Sequence, residues 1–574
     1  MAAAPRSSAI GWATSRGSPG VGLIWAGAWA RVEDEKKPAK ASQAAVWCAL
    51  RSRFISKGKC TRHYKTTPEM RRRYETPTRD TGCDDRGMAA EAGLTESGGV
   101  PGHEGGAAHG PVHGLARRIG LPSAVVLNMM DMIGVGPFLT LPLVLAAAGS
   151  RFAIWAWVLG AAIAVCDGLV WAELGASFPD AGGSYAFLRE IYGRDGAGRW
   201  VSFLYVWQLS FSAPLSIASG CIGLATFLGW LWPQLAAQPW AALPFVHGTN
   251  LAAAAACLLV TALLYRNLSS ITRMAFVLFG GVLLTVAGVV ASGVVTGSRV
   301  PGGWHLEGLV GAPTLALLPA LAQATLIACY DYWGYYNITF LGAEVRRPEK
   351  TIPRAILISL AVVGLMYIAM SLAVLPALNT TLSGIANTGA TQRLAMVAEI
   401  AQSAYGRLAG QVLASLILWS AFASVFSLLL GYSRVPYAAA VDGNYFSALA
   451  VLHRKHGFPH RSLVALGLVA TVFCFFTLSQ VIALLVVIRI LLQFLLQQAG
   501  LIWLRWKQPE VPRPFRMPLY PLPPLFAMAG FLFVLAYRPR PLVELGAAAA
   551  VAASGSVIYL IRARRVRDWP FAQR

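Results

Sequence analysis

The chain has 574 residues, 56% of them hydrophobic and 13% charged, with a mean hydropathy of +0.55, whereas an average soluble domain carries about 25% charged residues. That composition excludes an ordinary water-soluble enzyme and points to a chain built for lipid. The formal charge of +22 does not indicate nucleic acid, because the excess Lys and Arg lie in short segments between apolar runs, where a bilayer protein keeps its cytoplasmic cations.

Residues 1–114 mix Ser, Gly, Arg, Lys and Glu without sustained periodicity and include Arg71-Arg72-Arg73. They are expected to form a disordered, basic N-terminal extension. The apolar stretch Val21 to Ala30 is too short to span a bilayer, and no signal-cleavage pattern follows it. An alternative expectation is that the start is over-long and that Met88 begins the protein.

From Leu121 onward the chain carries apolar runs of about 20 residues, the length that crosses hydrocarbon as a helix. Twelve are expected, near 121–148, 152–178, 200–232, 244–265, 273–297, 314–341, 354–378, 408–440, 462–478, 480–504, 518–537 and 541–561. The spanning domain is thus 115–565, followed by a short tail, 566–574. With the N-terminus inside, 24 Lys and Arg fall on one side of these spans and six on the other. This asymmetry places both termini in the cytoplasm and the chain in the plasma (inner) membrane.

The first run is interrupted by Gly134-Val135-Gly136-Pro137-Phe138, which combines two glycines with a residue lacking an N–H. A helix is expected to break there, and opened backbone at membrane depth is tolerated only where it lines a protein cavity. The sixth run carries Tyr330-Asp331-Tyr332-Trp333-Gly334-Tyr335-Tyr336-Asn337, the expected second breakpoint. Paired interrupted helices point to inverted repeats with the substrate near the midplane. Charged residues inside spans need a reason, and Asp131, Asp167, Asp331 and Arg489 are of this kind. Asp131, one turn before the first break, is a candidate cation anchor or proton carrier; the alternative is an internal ion pair with Arg489. The eight cysteines are scattered without a C-x-x-C pair, so no metal, zinc site or disulfide framework is expected. His453, His456 and His460 lie in a basic loop with no carboxylate or cysteine to complete a ligand set. Neither a cofactor nor a nucleotide loop is indicated.

Four stretches together resemble the amino acid-polyamine-organocation transporter superfamily. They are Gly134 to Phe138; Trp171-Ala172-Glu173-Leu174-Gly175 with Pro179 and Gly182-Gly183-Ser184-Tyr185; Gly342-Ala343-Glu344-Val345 with Pro348 to Ala355; and Ser433-Arg434 with Asp442-Gly443, Pro459, Leu504-Arg505 and Pro509 to Phe515. The Gly-Pro-Phe ending of the first is similar to the polyamine-uptake branch, and the surroundings of Gly334 and Asn337 to the neutral amino-acid branch. The resemblance implies an all-α membrane protein of twelve transmembrane helices, a leucine-transporter-type 5+5 inverted repeat with broken first and sixth helices. It implies substrate held between the first, third, sixth and eighth spans. Its carboxylate would meet backbone near Val135 and Gly136, its amino group the carbonyls near Ile133 and Tyr330, with Gly134, Asp331 and Gly334 beside them. Selectivity would come from Tyr332, Trp333 and Tyr335. Glu173, Glu344 and Arg434 would belong to the cytoplasmic gate. Many bacterial members carry a coupling Lys in the fifth helix; Phe276 to Gly288 has none, which leaves Asp131 as the expected proton carrier.

The expected function is gradient-driven amino acid transport by alternating access, proton-coupled or exchanging, with no enzymatic activity. Polyamine or organic-cation uptake is the alternative; a membrane sensor on the same fold and a membrane-embedded enzyme stand behind it. The partners are the substrate, the lipid bilayer and a coupling proton, with the oligomeric state left open.

Overall fold

In a computed structural model of the chain, the described residues are 115–148, 152–237, 239–240, 243–266, 271–300, 318–385, 395–478, 487–538 and 541–571. The expected N-terminal extension, Arg151, Arg393, Arg540 and Arg574 lie outside them, as does most of the expected boundary between the ninth and tenth spans.

The first span is two helices, α1 (Leu121–Met132) and α2 (Gly136–Ala148), bent 45° at the break between them. Next come α3 (Ala153–Ser177), the short α4 (Ser184–Ile191), α5 (Ala197–Leu231), α6 (Gly248–Arg266) and α7 (Ile271–Ser298). The sixth expected run forms α8 (Leu318–Tyr332), a four-residue turn and the one-turn α9 (Asn337–Phe340). The remaining α-helices of eight residues or more are α10 (Pro348–Ile385), α11 (Met396–Tyr405), α12 (Arg407–Tyr432), α13 (Arg434–Val441), α14 (His460–Phe473), α15 (Leu496–Lys507), α16 (Leu522–Ala536) and α17 (Pro541–Val566). Among the described residues eight helices are long and apolar enough to cross a bilayer, or nine with the bent pair counted as one span. Helices dominate because each satisfies its own backbone hydrogen bonds where no water is available.

Two expected boundaries shift. The fourth span begins at Gly248, because Pro239–Trp240 (β1) and Leu243–His247 (β2) pair as an antiparallel hairpin before it. Pro244 lacks the N–H that a helix interior requires, so this small hairpin is an exception to the all-helical expectation. The ninth run is helical only over His460–Phe473. Beyond it, the N–H groups of Phe475 and Phe476 turn back to the carbonyls of Val472 and Phe473, three residues earlier, which tightens and ends the helix.

The two broken spans are joined at three levels. At one end the N–H groups of Arg118 and Ile119 donate to Glu344 O (2.7 and 2.9 Å), and Arg346 N–H returns a bond to Ile119 O at 2.8 Å. One level further in, the Asn128 amide acts as a substitute peptide: Nδ2 donates to Tyr335 O at 2.6 Å, and Oδ1 accepts from Ile338 N–H at 3.0 Å. At the breaks themselves, Tyr367 of α10 donates its hydroxyl to Met132 O (2.6 Å) and reaches Asp331 O (3.1 Å). Gly334 has φ +128°, and a Cβ there would come within 2.9 Å of Met132 N. Only glycine meets both conditions.

Ion pairs fasten other segments. Glu173, at the end of α3, accepts from Arg505 Nε at 2.7 Å and from Met517 N–H at 2.9 Å, with Arg513 3.7 Å away. Arg434 is fully buried and pairs with Glu344 at 2.8 Å. Its Nη1 also donates to Leu430 O at 2.9 Å.

Two outcomes test these joints. Glu173→Gln leaves the Arg505 guanidinium without its carboxylate and is expected to cost about 3 kcal/mol, read as a lowered thermal midpoint in detergent. Asn128→Leu fills the same space but strands one carbonyl and one N–H, and a loss of about 2 kcal/mol is expected; an unchanged midpoint would show that the amide carries no such load.

Candidate substrate site

Where the breaks face each other they enclose a cavity of about 50 Å³. From the first break it is lined by Asp131, Gly134, Val135 and Gly136, and from the second by Tyr330, Asp331, Trp333, Gly334 and Tyr336. Helix α5 contributes Ser216 and Ser219, α12 contributes Ser424 and Tyr432, and Arg489 enters from the span that ends as α15.

Local sequence explains the opening. Ile133 closes α1 with its N–H on Met129 O, at φ −89° and ψ 64°. Gly134 and Gly136 then pass where side chains could not: a Cβ on Gly134 would lie 2.6 Å from Ser424 Oγ, and one on Gly136 would collide with Asp331 Oδ1. Helix α2 starts at the cavity, so the orphan N–H groups of its first turn and the positive end of its dipole are directed there.

Carbonyls at the break and in the turns of α1 before it are served by a row of serines on α12. Ser420 Oγ donates to Ile133 O at 2.9 Å and lies 3.3 Å from Gly134 O. Ser424 Oγ reaches Asp131 O at 3.3 Å, and Ser427 Oγ reaches Leu127 O at 2.8 Å. Asn337 Nδ2 donates to Ser427 Oγ at 2.9 Å, which ties the second break to the same row.

The intramembrane charges divide into three environments. Asp167 is saturated: Trp171 Nε1 donates at 2.9 Å, Gln498 Nε2 at 2.7 Å, and the Tyr335 hydroxyl also donates. Asp331 accepts from Thr140 Oγ1, but its Oδ1 has no hydrogen-bond partner among the described residues, and neither has Asp131 Oδ2. Arg489 makes no direct ion pair with Asp131. Its guanidinium donates to the Tyr336 hydroxyl (3.1 Å), Ser216 Oγ (2.9 Å) and Ser212 O (3.3 Å), and lies 5.6 Å and 5.4 Å from the Trp333 and Tyr432 rings. Hydrogen bonds and ring faces together hold a cation that hydrocarbon would otherwise penalise.

The expected site residues therefore separate. Asp131, Gly134, Val135, Gly136, Tyr330, Asp331, Trp333 and Gly334 converge on the cavity. Ile133 presents only a carbonyl, already bonded by Ser420. Tyr332 and Tyr335 are turned into helix packing: the Tyr332 hydroxyl donates to Trp157 O at 3.3 Å, and that of Tyr335 to Asp167. Tyr336 takes the aromatic place facing the cavity, stacked on Trp171 with ring centroids 4.6 Å apart. Glu173, Glu344 and Arg434 stand apart from the cavity in the ion pairs above. His453 accepts the N–H groups of Lys455 and His456 at Nδ1 (3.3 Å each), so that nitrogen shapes a turn.

Sequence reading had missed Asn128, Tyr367, Ser219 and the serine row. Ser219 Oγ lies 2.7 Å from the Tyr330 hydroxyl. For the serines a signal existed: Ser420, Ser424 and Ser427 are spaced four and three apart, one face of an apolar helix.

Residues 119–560 match the family model for amino acid permeases. The chain is 26% identical over 434 residues to a serine/threonine exchanger of Bacillus subtilis, covering 74% of this chain and 92% of that protein. It is 28% identical over 466 residues to the human large neutral amino acids transporter small subunit 2, covering 78% and 80%. It is also 29% identical over 364 residues to an uncharacterized transporter of Mycobacterium tuberculosis, covering 62% and 73%. With a family match over most of its length and helices long and apolar enough to cross a bilayer, this multi-pass membrane chain belongs to the amino acid permease family.

Proposed function

We propose that this permease moves neutral amino acids by alternating access, driven by a gradient through proton coupling or exchange. The observation that carries the proposal is the meeting of two interrupted helical segments, α1–α2 and α8–α9, at one polar cavity. A zwitterion has a carboxylate and an ammonium group a few ångströms apart, and the site offers a matching pair of dipole ends. The first turn of α2 supplies N–H groups near Val135 and Gly136 for the carboxylate. The C-terminal ends of α1 and α8, near Ile133 and Tyr330, supply carbonyls for the ammonium group, and the Ser420 bond to Ile133 O leaves that oxygen a second lone pair. Trp333 and Tyr336 then bound the side chain. The relatives named for serine and threonine and for large neutral amino acids support a neutral substrate.

The architecture that goes with this reading is twelve spans, of which the first ten form two inverted five-helix repeats. Both termini lie in the cytoplasm of a plasma-membrane protein, and Glu173, Glu344 and Arg434 brace the cytoplasmic gate. Asp131, which lines the cavity and whose buried Oδ2 has no hydrogen-bond partner among the described residues, is the proton carrier. Polyamine uptake is disfavoured by the Arg489 guanidinium in the same cavity, which would repel a multiply charged cation.

Purified protein in proteoliposomes is expected to take up labelled serine, threonine or leucine saturably, in competition with one another and not with spermidine. Displacement by spermidine, with no amino acid effective, would overturn the reading. Asp131→Asn is expected to reduce proton-driven uptake by about tenfold or more; an unchanged response to an imposed pH gradient removes Asp131 from coupling. Trp333→Ala is expected to raise KM by roughly tenfold through loss of its apolar contact, and an unaltered KM would place the substrate elsewhere.

A further inference from the structure

Three of the cysteines that are far apart in the chain meet in the fold. Cys221 lies on α5, Cys257 on α6, and Cys474 closes the C-terminal end of α14. Their sulfur atoms all lie within 4.8 Å of one another, and all three residues are fully buried. The approach is built into the helix packing: Gly467 of α14 runs so close to α6 that a Cβ there would collide with Thr261. Cys257 and Cys474 donate their S–H groups to Gly467 O (3.4 Å) and Ala470 O (3.3 Å). Sulfur lone pairs remain to meet at the centre of the triangle.

We propose that Cys221, Cys257 and Cys474 form a three-sulfur site for a soft divalent d10 cation, separate from the substrate cavity. Three thiols at one point exceed what a disulfide uses. Hard cations such as magnesium and calcium require oxygen ligands. Zinc in a structural site takes four N, S or carboxylate ligands, and among the described residues no fourth His, Cys, Asp or Glu joins the group. A larger thiophilic ion accepts three sulfurs. Neutrality sets the number of protons released, because a net charge among apolar helices is costly. A divalent ion that displaces two thiol protons to solvent and takes a lone pair from the third sulfur gives a neutral adduct, and the binding involves no oxidant or reductant.

Occupancy has a mechanical consequence, which rests on the transport reading. Cys221 follows Gly220, and both Gly220 and Ser219 line the cavity. A metal held at Cys221 therefore clamps the cavity-lining segment of α5 to α6 and α14, two helices that contribute nothing to that lining. A helix so clamped does not rearrange, and transport stops.

The test uses the full chain in detergent, titrated with cadmium(II) and followed by the ultraviolet thiolate-to-cadmium charge-transfer band. The expected result is one tight equivalent per chain with release of about two protons. Cys221→Ser, Cys257→Ser and Cys474→Ser should each weaken binding by about tenfold or more, whereas Cys329→Ser should not. Equal binding by wild type and the triple variant, or equal damage by Cys329→Ser, overturns the site. Cys474→Ser, at a helix end, is the variant least exposed to misfolding, and its thermal midpoint in the absence of metal checks its integrity. In proteoliposomes, cadmium(II) should arrest uptake by wild type but not by Cys474→Ser. If the titration shows the site while cadmium affects the two proteins alike, the clamp is overturned and neither the site nor the transport reading falls with it.

Discussion

Hydrocarbon supplies no hydrogen bonds, so every backbone group released where a span opens must find its partner inside the protein. That constraint shapes the centre of this molecule. The two breaks are not independent defects: Asn128 of the first span completes the peptide pattern of the second, and Tyr367 spans the carbonyls of both. Helix α12 supplies hydroxyls to the first break and, through Ser427, to Asn337 beyond the second. An amide, a phenol and a row of serines thus stand in for the water that a soluble loop would use. Glycine at 334 lets the opened chains touch without a side chain between them.

The three buried aspartates show how the surroundings, rather than depth, assign a role. Asp167 has three donors and locks Tyr335, Trp171 and Gln498 together. A carboxylate so occupied has little left to offer a ligand. Asp131 and Asp331 each keep an oxygen without a partner among the described residues, and both line the cavity. Unmet acceptor capacity at that depth is costly unless something arrives to use it. Arg489 balances them at a distance, held by hydroxyls and aromatic faces, so the cavity keeps cation and anion apart.

Much of this was legible in one dimension. Gly134 to Phe138 and Tyr330 to Asn337 announced both breaks, because Gly, Pro and clustered polar groups within apolar runs have few other uses. Side-chain direction around the second break was not. A turn resets helical phase, so Tyr332 and Tyr335 point into packing while Tyr336, one residue on, faces the cavity. The supposed Asp131–Arg489 pair failed for a related reason: a sequence lists charges but not the aromatic rings and serines that can hold one without its opposite. The cysteine triangle was invisible because spacing along a chain does not tell which helices are neighbours. The hairpin at β1 and β2 was hidden by hydropathy, which reads Pro244 to Val246 as more of the same span, although a proline argues against a helix interior there.

Ser420 has a consequence beyond stability. Its hydroxyl stands 2.9 Å from one carbonyl of the opened first span and 3.3 Å from the next. A hydroxyl rotates about a single bond with little resistance, so it can release one oxygen as it takes the other. Either carbonyl of the opened chain can therefore be served by the same side chain. In a medium where an empty acceptor is expensive, one swivelling hydroxyl spares the opened backbone a bare oxygen.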